Sequence, residues 1–198
     1  MHAIVCTLDG EVVPFAFAGV ESGRTTYGHR FLSKGAIEVR HYDDYVKKLH
    51  DAYVIVDAAE RKEIIRNAVV NGAFALGLEP VPDEGLFDEV SGLAEWPVVL
   101  FGKIDDAFMD LPPEILRTTM RTHQKYFALR AVGAEGLANR FAFVSNMVAS
   151  DGGKEIVSGN ERVLRPRLSD AKFFWDQDRK RTLESRVDDL ESVVFHAD

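Results

Sequence analysis

The chain has one cysteine, no long apolar run and no internal repeat. These features argue against a disulfide-bonded secreted protein, a membrane-spanning protein and a repeat protein. A single cysteine, Cys6, cannot form an internal disulfide, which favours a reducing compartment. No apolar stretch reaches the roughly 18 residues that a membrane-spanning helix needs. The start, Met-His-Ala-Ile-Val-Cys, lacks the basic leader and apolar run of a secretory signal. We therefore expect a folded cytoplasmic protein that does not cross a membrane.

Positive charge is scarce overall but is concentrated in one part of the chain. The 198 residues carry 24 Lys and Arg against 32 Asp and Glu, a net charge of −8. Residues 113–186 nevertheless contain 14 basic and nine acidic residues, a balance of +5, which leaves −13 for the remainder. A basic portion on an acidic body would allow polyanion binding on one side. Helix-rich segments also acquire such a bias without that function, so both interpretations stay open.

The first forty residues predict short strands joined by turns. Residues 3–8 and 11–17 flank an Asp-Gly pair at 9–10, which is a strong signal for a two-residue hairpin. Because the chain opens inside a sheet, we interpret it as a segment of a longer protein. Residues 22–35 are rich in Gly, Ser and Thr and predict a loop, and a short strand is expected near 37–40.

Apolar periodicity predicts mixed strands and helices in the rest of the chain. The expected helices are 43–49, a long one capped by Asp57 and ended by Gly77, 86–93, one that begins at Pro112-Pro113, 154–159, 166–180 and 184–194. The expected strands are 52–56, 98–104, 126–132 and 140–148, the last two paired as a hairpin. No regular βαβ rhythm appears, so we predict an α+β fold with a mixed or antiparallel sheet and flanking helices. Residues 1–150 are expected to form this module, and residues 151–198 a helical segment that leads to further domains.

Three arginines surround a proline near the C-terminal end. The residue before a proline is biased toward extended geometry, so we expect a helix to begin at Pro166 and Arg165 to project from its start. Backbone N–H groups at such a start would add an anion site. Arg162, Arg165 and Arg167 are therefore candidate phosphate ligands. The alternative is that they pair with nearby carboxylates and fix how the last helices dock.

The helix expected after Pro166 has one apolar stripe. Leu168, Ala171 and Trp175 fall at i, i+3 and i+7, so this stripe should be buried. Lys172 and Arg179 lie on its flank and are expected to face water or a partner. Lys172 is therefore a further contact candidate.

Two other segments contain candidate contacts. His29 and Arg30 lie in a Gly-containing loop, where they would contact phosphate or order a neighbouring domain. Alternatively that loop is structural, with His29 bonded to the backbone and Phe31 buried. Lys125 is the exposed candidate in the second segment, whereas helical spacing favours His123 at the edge of the core.

Catalytic and metal motifs are incomplete in this sequence. Gly152-Gly153-Lys154 lacks the earlier glycine and the following Ser or Thr of a phosphate-binding loop. Ser169-Asp-Ala-Lys172 matches a Ser-x-x-Lys pattern without its companion motifs. His50-Asp51 is a weak candidate for a metal phosphohydrolase centre. We therefore predict no catalytic residue and no metal ligand.

Four longer stretches carry a family resemblance. They are Thr26-Tyr-Gly-His-Arg-Phe31, Met120-Arg-Thr-His-Gln-Lys-Tyr-Phe127, Phe143-Val-Ser-Asn146 and Gly159-Asn-Glu-Arg-Val-Leu-Arg-Pro-Arg-Leu168. In this order they closely resemble the β subunit of the bacterial heterotetrameric glycyl-tRNA synthetase. The resemblance extends from Cys6 to His196 and is least distinctive over residues 79–92.

The resemblance implies part of an enzyme that uses ATP to join glycine to its tRNA. In that family the adenylate-forming site, with its ATP and Mg²⁺, belongs to the α subunit, so no cofactor is expected in this chain. The implied partners are the α subunit and glycine tRNA, in a heterotetramer of two α and two β subunits. The implied fold is similar to the B3/B4-like module of phenylalanyl-tRNA synthetase, with HD-type and anticodon-binding regions further along the β subunit.

The leading hypothesis is thus a noncatalytic tRNA-binding and scaffolding module that is inactive by itself. One alternative is an editing-type or metal-dependent hydrolase built on His29, His123 or His50-Asp51. The other is a module that only docks the α subunit and never contacts RNA.

Overall fold

Strands and helices are intermixed along the chain, which confirms the α+β prediction. The computed structural model describes residues 3–193, and within them eleven strands and five α-helices form small sheets with flanking helices. The predicted helix end at Val194 and the last residues of the predicted 151–198 segment lie outside the described residues. No helix in the described range combines the length and apolar character needed to span a membrane.

The N-terminal part consists of short paired strands. They are β1 (Ile4–Val5), β2 (Thr7–Leu8), β3 (Glu11–Val12), β4 (Ala16–Phe17), β5 (Val20–Gly23), β6 (Thr25–Tyr27) and β7 (Ala36–Glu38). The predicted hairpin is confirmed: β2 and β3 pair antiparallel, and Asp9 and Gly10 both have positive φ, 52° and 87°. The loop predicted over 22–35 is wrong in part, because β6 lies within it and pairs with β7.

Two helices follow the small sheets. They are α1 (Tyr42–Asp51) and α2 (Ala58–Ala75), both at predicted positions. The Asp57 carboxylate accepts a hydrogen bond from the backbone N–H of Ala59 at 2.7 Å, which caps α2. The chain leaves α2 through Gly77, whose φ of 72° suits a helix end.

The strand predicted at 52–56 is wrong, although its apolar residues are partly buried. The carbonyl oxygens of Ile55 and Val56 accept hydrogen bonds from Arg61 Nη1 at 2.6 and 2.9 Å. The backbone N–H of Ile55 donates to the Glu95 carbonyl at 3.0 Å. A side chain and a distant loop thus satisfy this backbone, so the segment packs against the protein without a strand partner.

A four-stranded antiparallel sheet forms the centre of the molecule. Its elements and the attached helices are β8 (Leu78–Pro80), α3 (Glu84–Ser91), β9 (Val98–Lys103), α4 (Pro113–Gln124), β10 (Phe127–Ala131), β11 (Leu137–Ser145) and α5 (Lys154–Asp178). The strand order is β8-β10-β11-β9. The predicted hairpin is confirmed in the β10–β11 pair.

Helices cover both faces of this sheet. Helices α2 and α3 bury Ile65, Val69, Leu86, Phe87 and Val90 against Phe127 and Ala142. Helices α4 and α5 bury Leu116, Met120, Leu164 and Leu168 against Tyr126, Phe141 and Phe143. Successive strand residues point to opposite faces, which is why Phe141 and Ala142 belong to different clusters. Helix α5 is therefore part of the main core.

The break predicted at Pro166 is also wrong, because α5 runs through it as a single helix of 25 residues. An interior proline costs about 3 kcal/mol. Leu164 and Leu168 flank it and are each 1% exposed, and burying two leucines contributes about 3–6 kcal/mol. Packing therefore outweighs the local preference, and Arg165 lies in mid-helix rather than at a helix start.

The chain beyond α5 forms short 3-10 turns, Glu184–Arg186 and Asp188–Ser192, in place of the α-helix predicted from residue 184. The likeness to a B3/B4-like module and the division at residue 150 stay predictions.

Candidate nucleic-acid interface

Part of the basic C-terminal portion is neutralised by carboxylates that come earlier in the chain. The ion pairs are Arg130–Glu79 (2.8 Å), Arg121–Asp83 (2.7 Å), Lys125–Glu89 (2.6 Å), Arg165–Asp105 (3.4 Å) and Lys172–Asp110 (2.5 Å). Every cation in this set lies within residues 113–186 and every carboxylate within 79–110. The charge separation along the sequence is thus partly cancelled in space.

Asp83 is the least exposed carboxylate of this set, at 13% of its side chain. It accepts a hydrogen bond from the backbone N–H of Leu86 at 3.0 Å and faces both Arg121 and Arg117. Burial alone would raise its pKa, but the hydrogen bonds from Arg121 and Leu86 outweigh it, so the pKa of Asp83 lies below its ordinary value. Asp83 therefore joins α3 to α4.

Arg165 and Lys172 both face the segment between β9 and α4. Arg165 is 69% exposed and its contact with Asp105 is long, so this pair is weak. Lys172 is 29% exposed, and the hydrogen bond from Lys172 to Asp110 raises the pKa of the amine. The expectation that Lys172 faces water or a partner is thus modified, because an internal carboxylate already engages it.

Arg162 and Arg167 lack such partners. Both are exposed, and no carboxylate oxygen within the described range 3–193 lies within 4 Å of either guanidinium. They lie on the exposed side of α5, Arg162 opposite the core and Arg167 on a flank, about 140° apart around the helix axis. Two adjacent rows at i, i+4, i+7 and i+11 make up this side. We call it the outer face of α5; its exposed residues are Arg162, Pro166, Ser169 and Phe173 in one row and Val163, Arg167, Asp170 and Phe174 in the other.

The three arginines do not converge on one anion. At 3.6 residues per turn, Arg167 points about 160° away from Arg165 and about 140° away from Arg162 around the helix axis. Pro166 is inside the helix, so the free N–H groups of a helix start are not available beside them. The predicted anion site at a helix start is wrong, whereas contact between single arginines and RNA stays a prediction.

His29 is 1% exposed, and both of its ring nitrogens have partners. Nε2 lies 2.7 Å from the carbonyl oxygen of Asn146, and Nδ1 accepts from the backbone N–H groups of Phe31 and Leu32 at 3.2 Å. This geometry favours the structural alternative for the loop. Phe31 is 70% exposed rather than buried, and the Arg30 guanidinium lies 5.7 Å from its ring. Arg30 thus remains the exposed candidate in this loop.

Lys125 ends α4 in the left-handed region, with φ of 59°, and its amine lies 2.6 Å from Glu89. The next residue, Tyr126, is buried, and its hydroxyl donates a hydrogen bond to Asn160 Oδ1 at 2.5 Å. Burial raises the pKa of Tyr126 to about 12. The segment therefore anchors α4 to α5. His123 is exposed, so its predicted place at the core edge is wrong.

The residues considered for a metal-dependent hydrolase do not form a metal-binding cluster in the described part of the chain. Within residues 3–193, no group of three or more His, Cys, Asp or Glu side chains could hold a metal ion. The His50 ring packs edge-on against Trp96 at 5.3 Å. A cavity of about 260 Å³ beside α5 is lined by charged groups that already bind each other, including Asp105 with Arg165 and Glu161 with the backbone N–H of Lys103.

Sequence reasoning missed the exposure of Phe173 and Phe174. They are 58% and 63% exposed, although they adjoin the partly buried Trp175. The signal was present, because both residues fall outside the buried i, i+3, i+7 stripe. The acidic partners of the basic segment were missed as well, since they lie tens of residues away in sequence.

Comparison with known proteins identifies related sequences. The sequence model of the family described as "Glycyl-tRNA synthetase beta subunit" matches residues 1–198. The chain is 50% identical over 198 residues to the "Glycine--tRNA ligase beta subunit" of Phenylobacterium zucineum (strain HLK1). This alignment covers 100% of the chain and 30% of the relative, so the chain spans less than a third of the relative's length.

Proposed function

The chain belongs to the glycyl-tRNA synthetase beta subunit family, and from this premise we propose that it is a noncatalytic tRNA-binding and scaffolding part of glycine–tRNA ligase. In this proposal the adenylate forms at the α subunit, where ATP and Mg²⁺ bind. The assembled enzyme is a cytoplasmic heterotetramer of two α and two β subunits, and its RNA substrate is glycine tRNA. The chain then contributes binding and positioning, without a bond-making step of its own.

The exposed pair Arg162 and Arg167 is the observation that supports RNA contact. Several other basic residues of this portion are paired with carboxylates, whereas these two guanidiniums have no carboxylate within 4 Å in the described range 3–193. A guanidinium offers two parallel N–H donors to a phosphate. Such contacts position an RNA without reading its sequence, so recognition of the glycine tRNA would depend on other parts of the enzyme. Arg30 is a second exposed candidate, and Arg165 and Lys172 would first have to leave their internal partners.

Titration of a glycine tRNA transcript against the 198-residue chain tests this contact. We expect the R162A/R167A double variant to bind more weakly and to reduce the slope of log K against log salt by roughly 1 to 2, since each lost phosphate contact contributes about 0.7–0.9. The matched control is R40A/K47A, which removes one exposed cation before α1 and one within it, and should bind like the unchanged chain. Equal binding by R162A/R167A and the unchanged chain would refute the contact.

The noncatalytic part of the proposal has its own test. Glycine-dependent exchange of pyrophosphate into ATP should be absent for the chain alone and present once the α subunit is supplied. Exchange by the chain alone would overturn the proposal.

Docking of the α subunit is the second candidate function, and the exposed rings of Phe173 and Phe174 favour it. The chain would then capture purified α subunit without RNA, and R162A/R167A would leave tRNA binding by the assembled enzyme unchanged.

A further inference from the structure

Two aromatic rings stand on the outer face of α5 in line with its two unpaired arginines. Phe173 follows Arg162 by 11 residues in one row, and Phe174 follows Arg167 by seven in the other. Helical spacing places each ring almost directly along the axis from its arginine. The two rings meet edge to face, with centroids 5.5 Å apart and planes at 75°. Each row thus presents a cation and then a ring.

The distances along the helix suit a short single strand of nucleic acid. At 1.5 Å per residue, the arginine and the ring are separated by about 16 Å in the first row and about 10 Å in the second. A few nucleotides of unpaired strand cover such a distance. A base exposes a flat apolar face only when it is unpaired and unstacked. The bases inside a duplex are stacked on each other, so they offer no face to these rings.

Pro166 adds a hydrogen-bond acceptor to the same face. A proline has no N–H, so the carbonyl oxygen of Arg162, four residues earlier, lacks its helical donor. The outer face therefore offers guanidinium donors, a free carbonyl acceptor and two rings. These groups match the phosphate, the hydroxyl or amino groups and the base of a nucleotide.

We infer that Phe173 and Phe174 stack on unpaired bases of the RNA while Arg162 and Arg167 hold the adjoining phosphates. This inference rests on the proposed function and names the binding surface for it. Asp170 lies between Arg167 and Phe174 and repels phosphate, so the backbone of the strand passes beside the arginines and its bases reach the rings. A purely apolar protein partner would instead bury two guanidiniums and a carbonyl without partners.

The test uses single-stranded RNA that contains 2-aminopurine, whose fluorescence is quenched when it stacks. We expect F173A/F174A to weaken binding at least tenfold and to lose the quenching, because stacking contributes strongly at each base. The salt slope should stay the same, since no phosphate contact is removed. F173Y/F174Y should retain binding and quenching, whereas F173L/F174L, which keeps apolar surface without a ring, should lose both. The control F17A/F74A removes two other exposed rings and should change nothing.

The outcomes separate this inference from the proposed function. If R162A/R167A weakens tRNA binding while F173A/F174A does not, stacking is refuted and the tRNA-binding role stands. If the folded chain binds no RNA at all, both fail. If F173L/F174L retains RNA binding, the contact is apolar and stacking is refuted. If F173A/F174A loses capture of the α subunit while its RNA binding is unchanged, stacking is refuted as well. Circular dichroism of each variant checks that it is folded.

Discussion

The Nε2 atom of His29 lies 2.7 Å from the carbonyl oxygen of Asn146, a residue 117 positions further along the chain. Because Nδ1 accepts from two backbone N–H groups, the ring proton is on Nε2, and it is donated to Asn146. The imidazole thus connects the N-terminal loop to the end of β11. Asn146 also holds the backbone N–H of Trp96 through its side chain at 2.9 Å. One histidine and one asparagine therefore join three separate segments.

We predict that His29→Ala lowers the free energy of unfolding by about 2–4 kcal/mol, because it leaves several buried polar groups unpaired. Chemical denaturation followed by circular dichroism measures this change. His123→Ala is the matched control, since that histidine is exposed, and it should change stability by less than about 0.5 kcal/mol. Unchanged stability of His29→Ala together with lost tRNA binding would instead support a phosphate contact at His29.

Pro166→Ala should stabilise the chain by about 1–2 kcal/mol. The alanine restores the hydrogen bond to the Arg162 carbonyl and removes the ring clash in the preceding turn, which outweighs the greater freedom of the unfolded chain. Thermal unfolding gives the result, and Ser169→Ala on the same face is the control, with a gain of at most about 0.5 kcal/mol. A loss of stability in Pro166→Ala would contradict the continuous α5.

The elements that sequence could predict are those that periodicity and local turns determine. The hairpin at Asp9-Gly10, the cap at Asp57 and the β10–β11 pair follow from residues that are close in sequence. Pro166 and the segment 52–56 were misread because their state depends on distant groups. Burial of Leu164 and Leu168 in the core keeps α5 continuous through Pro166. Arg61 donates hydrogen bonds to the carbonyls that a strand partner would otherwise have bound.

Asp83→Asn should lower the free energy of unfolding at neutral pH by about 1–2 kcal/mol, since the carboxylate accepts charge-assisted bonds. The folded pKa of Asp83 lies below the unfolded value of about 3.9. The stabilisation from the ionised Asp83 is therefore complete above the unfolded pKa and is lost as the pH falls through the folded pKa. Denaturation of Asp83→Asn and of the unchanged chain measures this, and their difference in free energy of unfolding should be smaller at pH 3 than at pH 7. Asp110→Asn, at an exposed pair, should have little effect at either pH.

Two helical glycines should respond to alanine in opposite ways. A Cβ at Gly72 in α2 would lie 2.2 Å from the Phe101 ring, whereas a Cβ at Gly159 in α5 meets nothing within 4 Å. We expect Gly72→Ala to destabilise the chain by about 1–3 kcal/mol through overpacking. Gly159→Ala should stabilise it by up to about 1 kcal/mol through helix propensity. Denaturation midpoints of the two variants provide the measurement, and a stabilised Gly72→Ala would contradict the packing of α2 on β9.

The candidate surface was only partly predictable, because its charge partners and its buried side depend on residues that are distant in sequence. The sequence identifies Arg162, Arg165 and Arg167 as one cluster, but helical geometry turns Arg167 away from the other two and Asp105 engages Arg165. The acidic residues that neutralise Arg121, Arg130 and Lys172 lie 38 to 62 positions away. A local charge count cannot include partners that only the fold brings near. Phe173 and Phe174 become significant once the buried side of α5 is known.

The central sheet ends on one side at β8, a strand of three residues that finishes at Pro80. A proline cannot donate to a neighbouring strand, and so short an edge offers few free N–H groups to a second molecule. Growth of the sheet by edge-to-edge addition, the first step toward amyloid-like association, is therefore discouraged at this boundary.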